Sequence, residues 1–245
     1  MILPTAKVAP RAPGFPLGKT WLFYGPPKGG KSTLAAQFPD ALHIDAEDGT
    51  DDIGGYVVKP QSLDELGEIA HLLETPAGAK YKSVILDPLD AIHDWVERDS
   101  LKFLSKKLKA QYDVMGEVPN GLDWSDSRNA NLGIIHKFRQ IGRATGKNII
   151  IVAHSQAVMT EKGTVEQKAM TIDLPGKLGR RIPANVDIIG YCYGQKRMVG
   201  TKAVIDRMIS FQPYEGLEAG CRFKELNGKV IPMSFQAIKD CFVKK

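Results

Sequence analysis

The chain has 245 residues, 43% hydrophobic and 25% charged, ordinary values for a folded domain with a sizeable core, and they exclude a disordered protein. A formal net charge of +5 leans mildly toward polyanionic partners, nucleic acid or a free triphosphate among them. Cys192, Cys221 and Cys241 form no CxxC pair, which excludes a disulfide framework and a zinc site; with no run of about 18 apolar residues to cross a membrane, a reducing cytoplasm fits best.

Residues 1–19 carry Pro4, Pro10, Pro13 and Pro16 among small and basic residues and predict an extended arm, not a signal sequence, ahead of one domain over 20–245. Trp21-Leu22-Phe23-Tyr24 then reads as a buried strand. It runs into Gly25-Pro26-Pro27-Lys28-Gly29-Gly30-Lys31-Ser32-Thr33, a complete GxxxxGK[ST] phosphate loop, and Leu34-Ala35-Ala36-Gln37-Phe38 opens a helix. Glycines let the backbone close around phosphates so that consecutive N–H groups point inward. Lys31 is placed to reach the β- and γ-phosphates, and the Ser32 hydroxyl to ligate Mg²⁺. A bound nucleoside triphosphate, ATP with Mg²⁺, is therefore expected.

Pro39-Asp40 breaks the helix, and residues 41–47 read as a short strand ending in acids, followed by a polar Gly-rich loop to Gly55. Ser62-Leu63-Asp64-Glu65 is a capping box before Leu66, Ile69, Ala70 and Leu73 at helical spacing. Residues 81–86 form the next strand, closed by Asp87; a helix follows from Ala91 to about Lys109, on which His93 and Glu97 read as a solvated face and not a metal site. Residues 110–127 are predicted as a surface loop, then a helix carries Leu132, Ile135, Phe138 and Ile141 up to Gly146. After the apolar strand 148–153, residues 157–185 read as a mobile loop, and 186–193, 196–199, 203–205 and 208–211 as short strands of an edge meander.

Two acids suit phosphate chemistry. Ser83-Val84-Ile85-Leu86-Asp87 is a buried strand delivering a carboxylate, as a Walker B acid that holds Mg²⁺ requires. Glu47, at the end of another strand, is placed to orient or deprotonate the water that attacks a γ-phosphate, with Asp45 and Asp48 open as substitutes.

Ile44-Asp45-Ala46-Glu47 resembles the strand end that carries the catalytic glutamate in RecA-type recombinases, and Leu86-Asp87-Pro88-Leu89-Asp90-Ala91 is similar to their Walker B strand and turn. Ile149 to Gln156 resembles the strand whose polar end senses the γ-phosphate, with His154 or Gln156 in that role. Over residues 20–223 the pattern, including Asp123-Trp124-Ser125-Asp126, is similar to the core-only RecA-like ATPases of bacteriophages described as single-strand annealing proteins. That resemblance implies Mg-ATP, single-stranded DNA, a homo-oligomeric ring or filament, a phage single-strand-binding protein as a further partner, and the host cytoplasm. Arg222 looks like the arginine of the Lys-x-Arg-Phe-Gly element by which RadA-type relatives reach a neighbour's nucleotide, although Gly220 and Lys224 replace its lysine and final glycine. The same pattern places DNA contacts in two loops. Lys162, Lys168, Lys177, Arg180 and Arg181 suit phosphates in one, and Trp124 or Tyr112 supplies the aromatic surface in the other.

The fold class expected is α/β: a RecA-like phosphate-loop domain with a mostly parallel central sheet between helices and an antiparallel strand extension near the C-terminus. The expected activity is DNA-stimulated ATP hydrolysis in phage recombination or replication. Two rivals stand beside it: a small-molecule kinase, which would need an Arg-bearing lid the sequence does not display, and a non-hydrolysing DNA-binding module switched by ATP. A partitioning ATPase is less suitable, since its signature lysine position is occupied here by Pro26.

Overall fold

All six residues of the strand before the phosphate loop, β1 (Thr20–Gly25), are buried, as a strand flanked on both sides and covered on both faces requires. The computed structural model describes residues 14–162, 165–214 and 216–243; most of the expected arm, residues 1–13, lies outside the described residues. After β1 come α1 (Lys31–Ala36), β2 (Ala41–Asp45), β3 (Tyr56–Val58) and α2 (Leu63–Leu72). Next are β4 (Ser83–Asp87), α3 (Leu89–Leu108), α4 (Leu122–Thr145), β5 (Asn148–Lys162) and β6 (Val165–Ile172). The chain continues through α5 (Leu178–Ala184), β7 (Ile188–Val199), β8 (Lys202–Ser210), β9 (Gly220–Cys221), β10 (Val230–Pro232) and α6 (Phe235–Asp240).

The strand order is β10-β8-β7-β1-β5-β4-β2-β3, with β6 paired to β5 and β9 to β7. Every pairing from β7 across to β3 is parallel, while β8, β9 and β10 add on antiparallel. This is the α/β fold class expected from the sequence, a mostly parallel central sheet with an antiparallel extension near the C-terminus. The strand alternation divides two cores. Leu22 and Tyr24 face Leu66, Ile92, Phe138 and Ile182 from α2 to α5, whereas Trp21 and Phe23 face Leu34, Phe38, Ile238 and Phe242. At about 1.5–3 kcal/mol for each large side chain buried, these two layers are the main source of stability. Phe15 seals the second layer against Trp21, Phe38, Phe235 and Phe242. Among the described residues no helix is long and apolar enough to cross a membrane.

The capping box begins α2 as expected: Ser62 Oγ accepts from the Glu65 amide at 3.3 Å, while the Glu65 carboxylate reaches back one residue further, to the Gln61 amide at 2.8 Å. Other expectations are corrected. Residues 157–185 are not one loop: β5 runs on past the sheet and pairs with β6 in a hairpin, and α5 follows. The hairpin's root reaches the core through buried Ile172 and half-buried Met170, too short a stretch to show a period. The short strands of the expected meander merge into two long ones, β7 and β8, whose outer halves are exposed on both faces and so lose their period. Helix α4 starts inside the expected 110–127 loop, with buried Asp123 accepting from the Trp124 amide at 2.8 Å. His93 is not on a solvated face; it is buried, 2.9 Å from the Asn131 amide group and 3.0 Å from Glu97.

Parallel pairing brings the carboxyl ends of β1, β2, β4 and β5 to one edge, where Gly25 lies beside His154 and Asp45 beside Asp87. Open α/β sheets hold ligands in this crevice. At its centre Gly25 has no room for a side chain, since a Cβ there would stand 2.2 Å from the Cys192 carbonyl oxygen on β7. Backbone on both sides leaves nothing able to yield. Gly25→Ala is expected to cost about 3 kcal/mol of unfolding free energy, read by urea denaturation; a cost under about 1 kcal/mol would show that β1 and β7 separate easily.

Candidate nucleotide-binding site

The turn from β1 into α1 is tight: Lys28 and Gly30 have φ of 58° and 90°, and the Gly29 amide donates to Pro26 O at 3.3 Å. The N–H groups of Lys28, Gly30, Lys31, Ser32 and Thr33 have no acceptor among the described residues. A run of unpaired inward amides is what a phosphate chain fills, so the loop fits a nucleotide. Lys31 is buried, and its ammonium donates to the carbonyls of Gly25 and Pro26 at 3.1 and 2.9 Å. Burial pulls its pKa down, opposed by the nearby thiol of Cys192 and the carboxylates of Asp87, Asp90 and Glu47. Cys192 itself is wholly buried, which pushes its thiol up to about 12 and makes it inert.

Asp87 ends β4 on the α1 side of the sheet. One carboxylate oxygen lies 2.7 Å from His43 Nε2, and His43 Nδ1 has no partner. That pattern fits an imidazole that carries its proton on Nε2 and donates it to Asp87. The other oxygen of Asp87 remains without a hydrogen bond among the described residues, so with the half-buried Ser32 hydroxyl it offers the oxygen donors that Mg²⁺ takes.

Three acids cluster after β2, and the structure separates their uses. Asp45 is buried and consumed locally, accepting from Thr50 Oγ1 at 2.6 Å and from the amides of Glu47, Gly49 and Thr50. Burial acts to raise its pKa, but the Thr50 hydroxyl and these amides hold it below the usual carboxylate range. Asp48 pairs with Lys59 at 3.2 Å. Glu47 alone faces the site. Its carboxylate lies with Asp90 and His154, one ligand atom from each falling within 4.8 Å of the others.

Asp90, in the first turn of α3, grips the end of β5. One oxygen accepts the His154 amide at 3.1 Å and the other stands 2.5 Å from His154 Nδ1. The Asp90 contact raises the His154 pKa against the effect of burial; for Asp90, burial acts upward but the bonds from His154 win and lower it. Imidazole and carboxylate thus favour each other's charged forms. Partial burial and the Asp90 charge raise Glu47, with His154 acting against them.

Gln156 lies two residues further along β5, its amide donating to the carbonyls of Ile172 and Leu174 at 3.3 Å each. Arg222 is exposed. Register puts it next to Cys221, which pairs with Ile188, at the amino-terminal end of the parallel strands and away from its own phosphate loop. Lys177, Arg180 and Arg181 are exposed on α5, and Lys177 and Arg180 line a cleft of about 850 Å³ under the β5–β6 hairpin. The side chains of Lys162 and Lys168 lie outside the described residues. Trp124 is 43% exposed at the start of α4, whereas Tyr112 packs onto Leu101, Leu104 and Val118. His43 and Asp90 escaped the sequence reading. Only the strand and helix register, which places His43 one alternation from Asp45 and Asp90 three residues after Asp87, hints at them.

The fold and this edge together define a nucleotide-binding protein of the phosphate-loop ATPase class. The chain belongs to the AAA domain family AAA_24, which matches residues 18–223. Among solved structures it is similar to the KaiC-like protein PH0186 from the hyperthermophilic archaeon Pyrococcus horikoshii OT3, at 15% identity, over 89% of this chain and 86% of that one, with a TM-score of 0.49. It is also similar to the RadB recombinase, at 16% identity over 80% and 81% of the two chains, with a TM-score of 0.45. No curated protein matches it.

Replacing Asp90 by asparagine removes the charge that holds His154 protonated. The His154 titration, followed by proton NMR, is expected to fall toward the ordinary imidazole value in Asp90→Asn. With Asp90 lowered and His154 raised, the pair stabilises the fold fully between the ordinary values of 3.8 and 6.5. That contribution is lost as pH falls through the folded pKa of Asp90 or rises through that of His154. The stability deficit of Asp90→Asn, about 1–2 kcal/mol inside this window, should shrink on both sides; a deficit independent of pH would show the pair to be uncharged.

Proposed function

We propose that this protein is a Mg-ATP hydrolase acting on single-stranded DNA in recombination or replication, by strand annealing or pairing, as its resemblance to the phage annealing ATPases suggests. The observation that carries the hydrolytic part is Glu47: a carboxylate left free by its neighbours and set beside a charged His154 at the mouth of the phosphate loop. Lys31 and the loop amides hold the phosphate chain. Ser32 and Asp87, the latter oriented by His43, would hold Mg²⁺, which when bound neutralises charge on the β- and γ-phosphates.

Glu47 orients the attacking water and takes its proton, and a raised pKa makes it a better acceptor than an ordinary surface glutamate. The His154 imidazolium supplies positive charge where the γ-phosphate lies.

The DNA part rests on placement. β5 passes without a break from His154 into the hairpin, and α5 behind it presents Lys177, Arg180 and Arg181. Cations so arranged suit phosphate contacts that fix position without reading sequence. Arg222, remote from its own loop, is suited to a neighbour's nucleotide in a ring or filament of this chain.

Hydrolysis measured with and without single-stranded DNA at two salt concentrations tests the reading. Stimulation by DNA is expected, with binding that weakens as salt rises; turnover blind to DNA and no binding at low salt would remove DNA from the function. Glu47→Gln is expected to lower kcat by about a hundredfold or more while ATP still binds, and Lys31→Ala to abolish ATP binding. Unchanged turnover in Glu47→Gln would exclude Glu47 as the base. Replacing Arg180 and Arg181 together by alanine should weaken DNA binding across all sequences and flatten the salt slope by roughly 1–2.

A further inference from the structure

The phosphate loop has a second cation against it that none of the roles above uses. Arg207, on β8, lies so close to the loop that a Cβ built on Gly30 would stand 2.8 Å from its Nη1 and 2.9 Å from the Met233 methyl. Gly30 is required for its φ of 90°, and the ends of the two side chains lie directly against it.

The approach is built into the sheet. On β8 the buried Ile209 faces the same layer as α1, and strand alternation sends Arg207, two residues away, to that face. Arg207 pairs across to Gly194 on β7, two residues beyond the Cys192 whose thiol lies near Lys31. On the other side its carbonyl accepts the Met233 amide at 3.0 Å. The backbone is thus clamped from both flanks while the side chain crosses to the loop. The guanidinium has no carboxylate or carbonyl partner among the described residues; the adjacent Asp206 is taken by Arg197. Arg207 is exposed, and its five donors lie against a loop with unpaired amides and, among the described residues, opposite no acid, so it offers an anion a second cation there.

We propose that Arg207 is a second cationic ligand of the nucleotide's phosphate chain, acting within its own chain from the antiparallel extension. The assignment rests on the loop being the nucleotide site. It gives β8 a function beyond closing the sheet edge, because the nucleotide then ties the extension to the phosphate loop.

Calorimetric titration with ATP and with inorganic tripolyphosphate, each with Mg²⁺, tests it on the wild-type chain and on Arg207→Ala, Arg207→Lys, Arg197→Ala and Lys31→Ala. Arg207→Ala is expected to weaken both ligands by the same factor, about tenfold or more, with Arg207→Lys recovering part and Arg197→Ala binding as wild type does. Melting curves of the Arg207 variants that match wild type tie the loss to binding. Wild-type affinity for tripolyphosphate in Arg207→Ala overturns the assignment, and so does a loss confined to ATP, which would place the contact on the nucleoside. If the wild-type chain binds neither ligand, or Lys31→Ala binds both as tightly, the nucleotide reading falls and takes Arg207 with it.

Discussion

Everything at this site depends on how β1 is held between β5 and β7. Its six residues are buried, its last residue lies against the Cys192 carbonyl on one side and beside His154 on the other, and no side chain fits between. The constraint is steric, so it is short-ranged and stiff: packed backbones have no rotamers through which to relax. From that fixed point the loop turns with Lys28 and Gly30 at positive φ, and Lys31 comes back to hydrogen-bond the carbonyls of Gly25 and Pro26. A buried lysine with two carbonyl acceptors and no carboxylate at contact distance is poised for a stronger anion, and the cost of burying it falls when one arrives.

Around that lysine the chain solves a charge problem. Asp45, Glu47, Asp87 and Asp90 converge on one sheet edge, and four mutually close carboxylates would repel one another without compensation. Asp45 is quenched by a hydroxyl and three amides, Asp87 by His43, and Asp90 by the ring and amide of His154. Only Glu47 is left without such a partner. Partial burial first, and then the charges of the neighbouring carboxylates, raise its pKa, which sets one carboxylate among four apart from the others.

Much of this edge was legible because its signals are local. Glycine spacing marks the loop, an apolar run ending in an acid marks Asp87, and a capping box marks the start of α2. What stayed hidden depends on strand order. His43 meets Asp87 only because β2 and β4 are neighbours, Asp90 meets His154 only because α3 starts beneath the end of β5, and Arg207 meets Gly30 only through the fold of β8. The two long hairpins were misread for a different reason. Apolar periodicity records burial, and strands that leave the sheet have little of it: Gly194 to Val199 are exposed, and the β5–β6 hairpin meets the core at its root, through Ile172.

Those hairpins leave the sheet from the two strands that flank β1, and they differ in how they are rooted. β7 and β8 remain paired with each other, with β1 and with β10, so that hairpin continues a four-strand edge. β5 lets go of β1 at His154 and from there pairs only with β6. Its root is fixed by the burial of Ile172 in the core, by the Met170 amide bonded to the Gly216 carbonyl at 2.7 Å, and by ties of Asp90 to His154, of the Asp173 amide to the His154 carbonyl at 2.8 Å, and of Gln156 to the carbonyls of Ile172 and Leu174. Two of these ties meet at His154, whose amide and ring bond Asp90 and whose carbonyl accepts the Asp173 amide. The Asp90–His154 tie is therefore at once part of the phosphate-loop edge and part of the root of the β5–β6 hairpin.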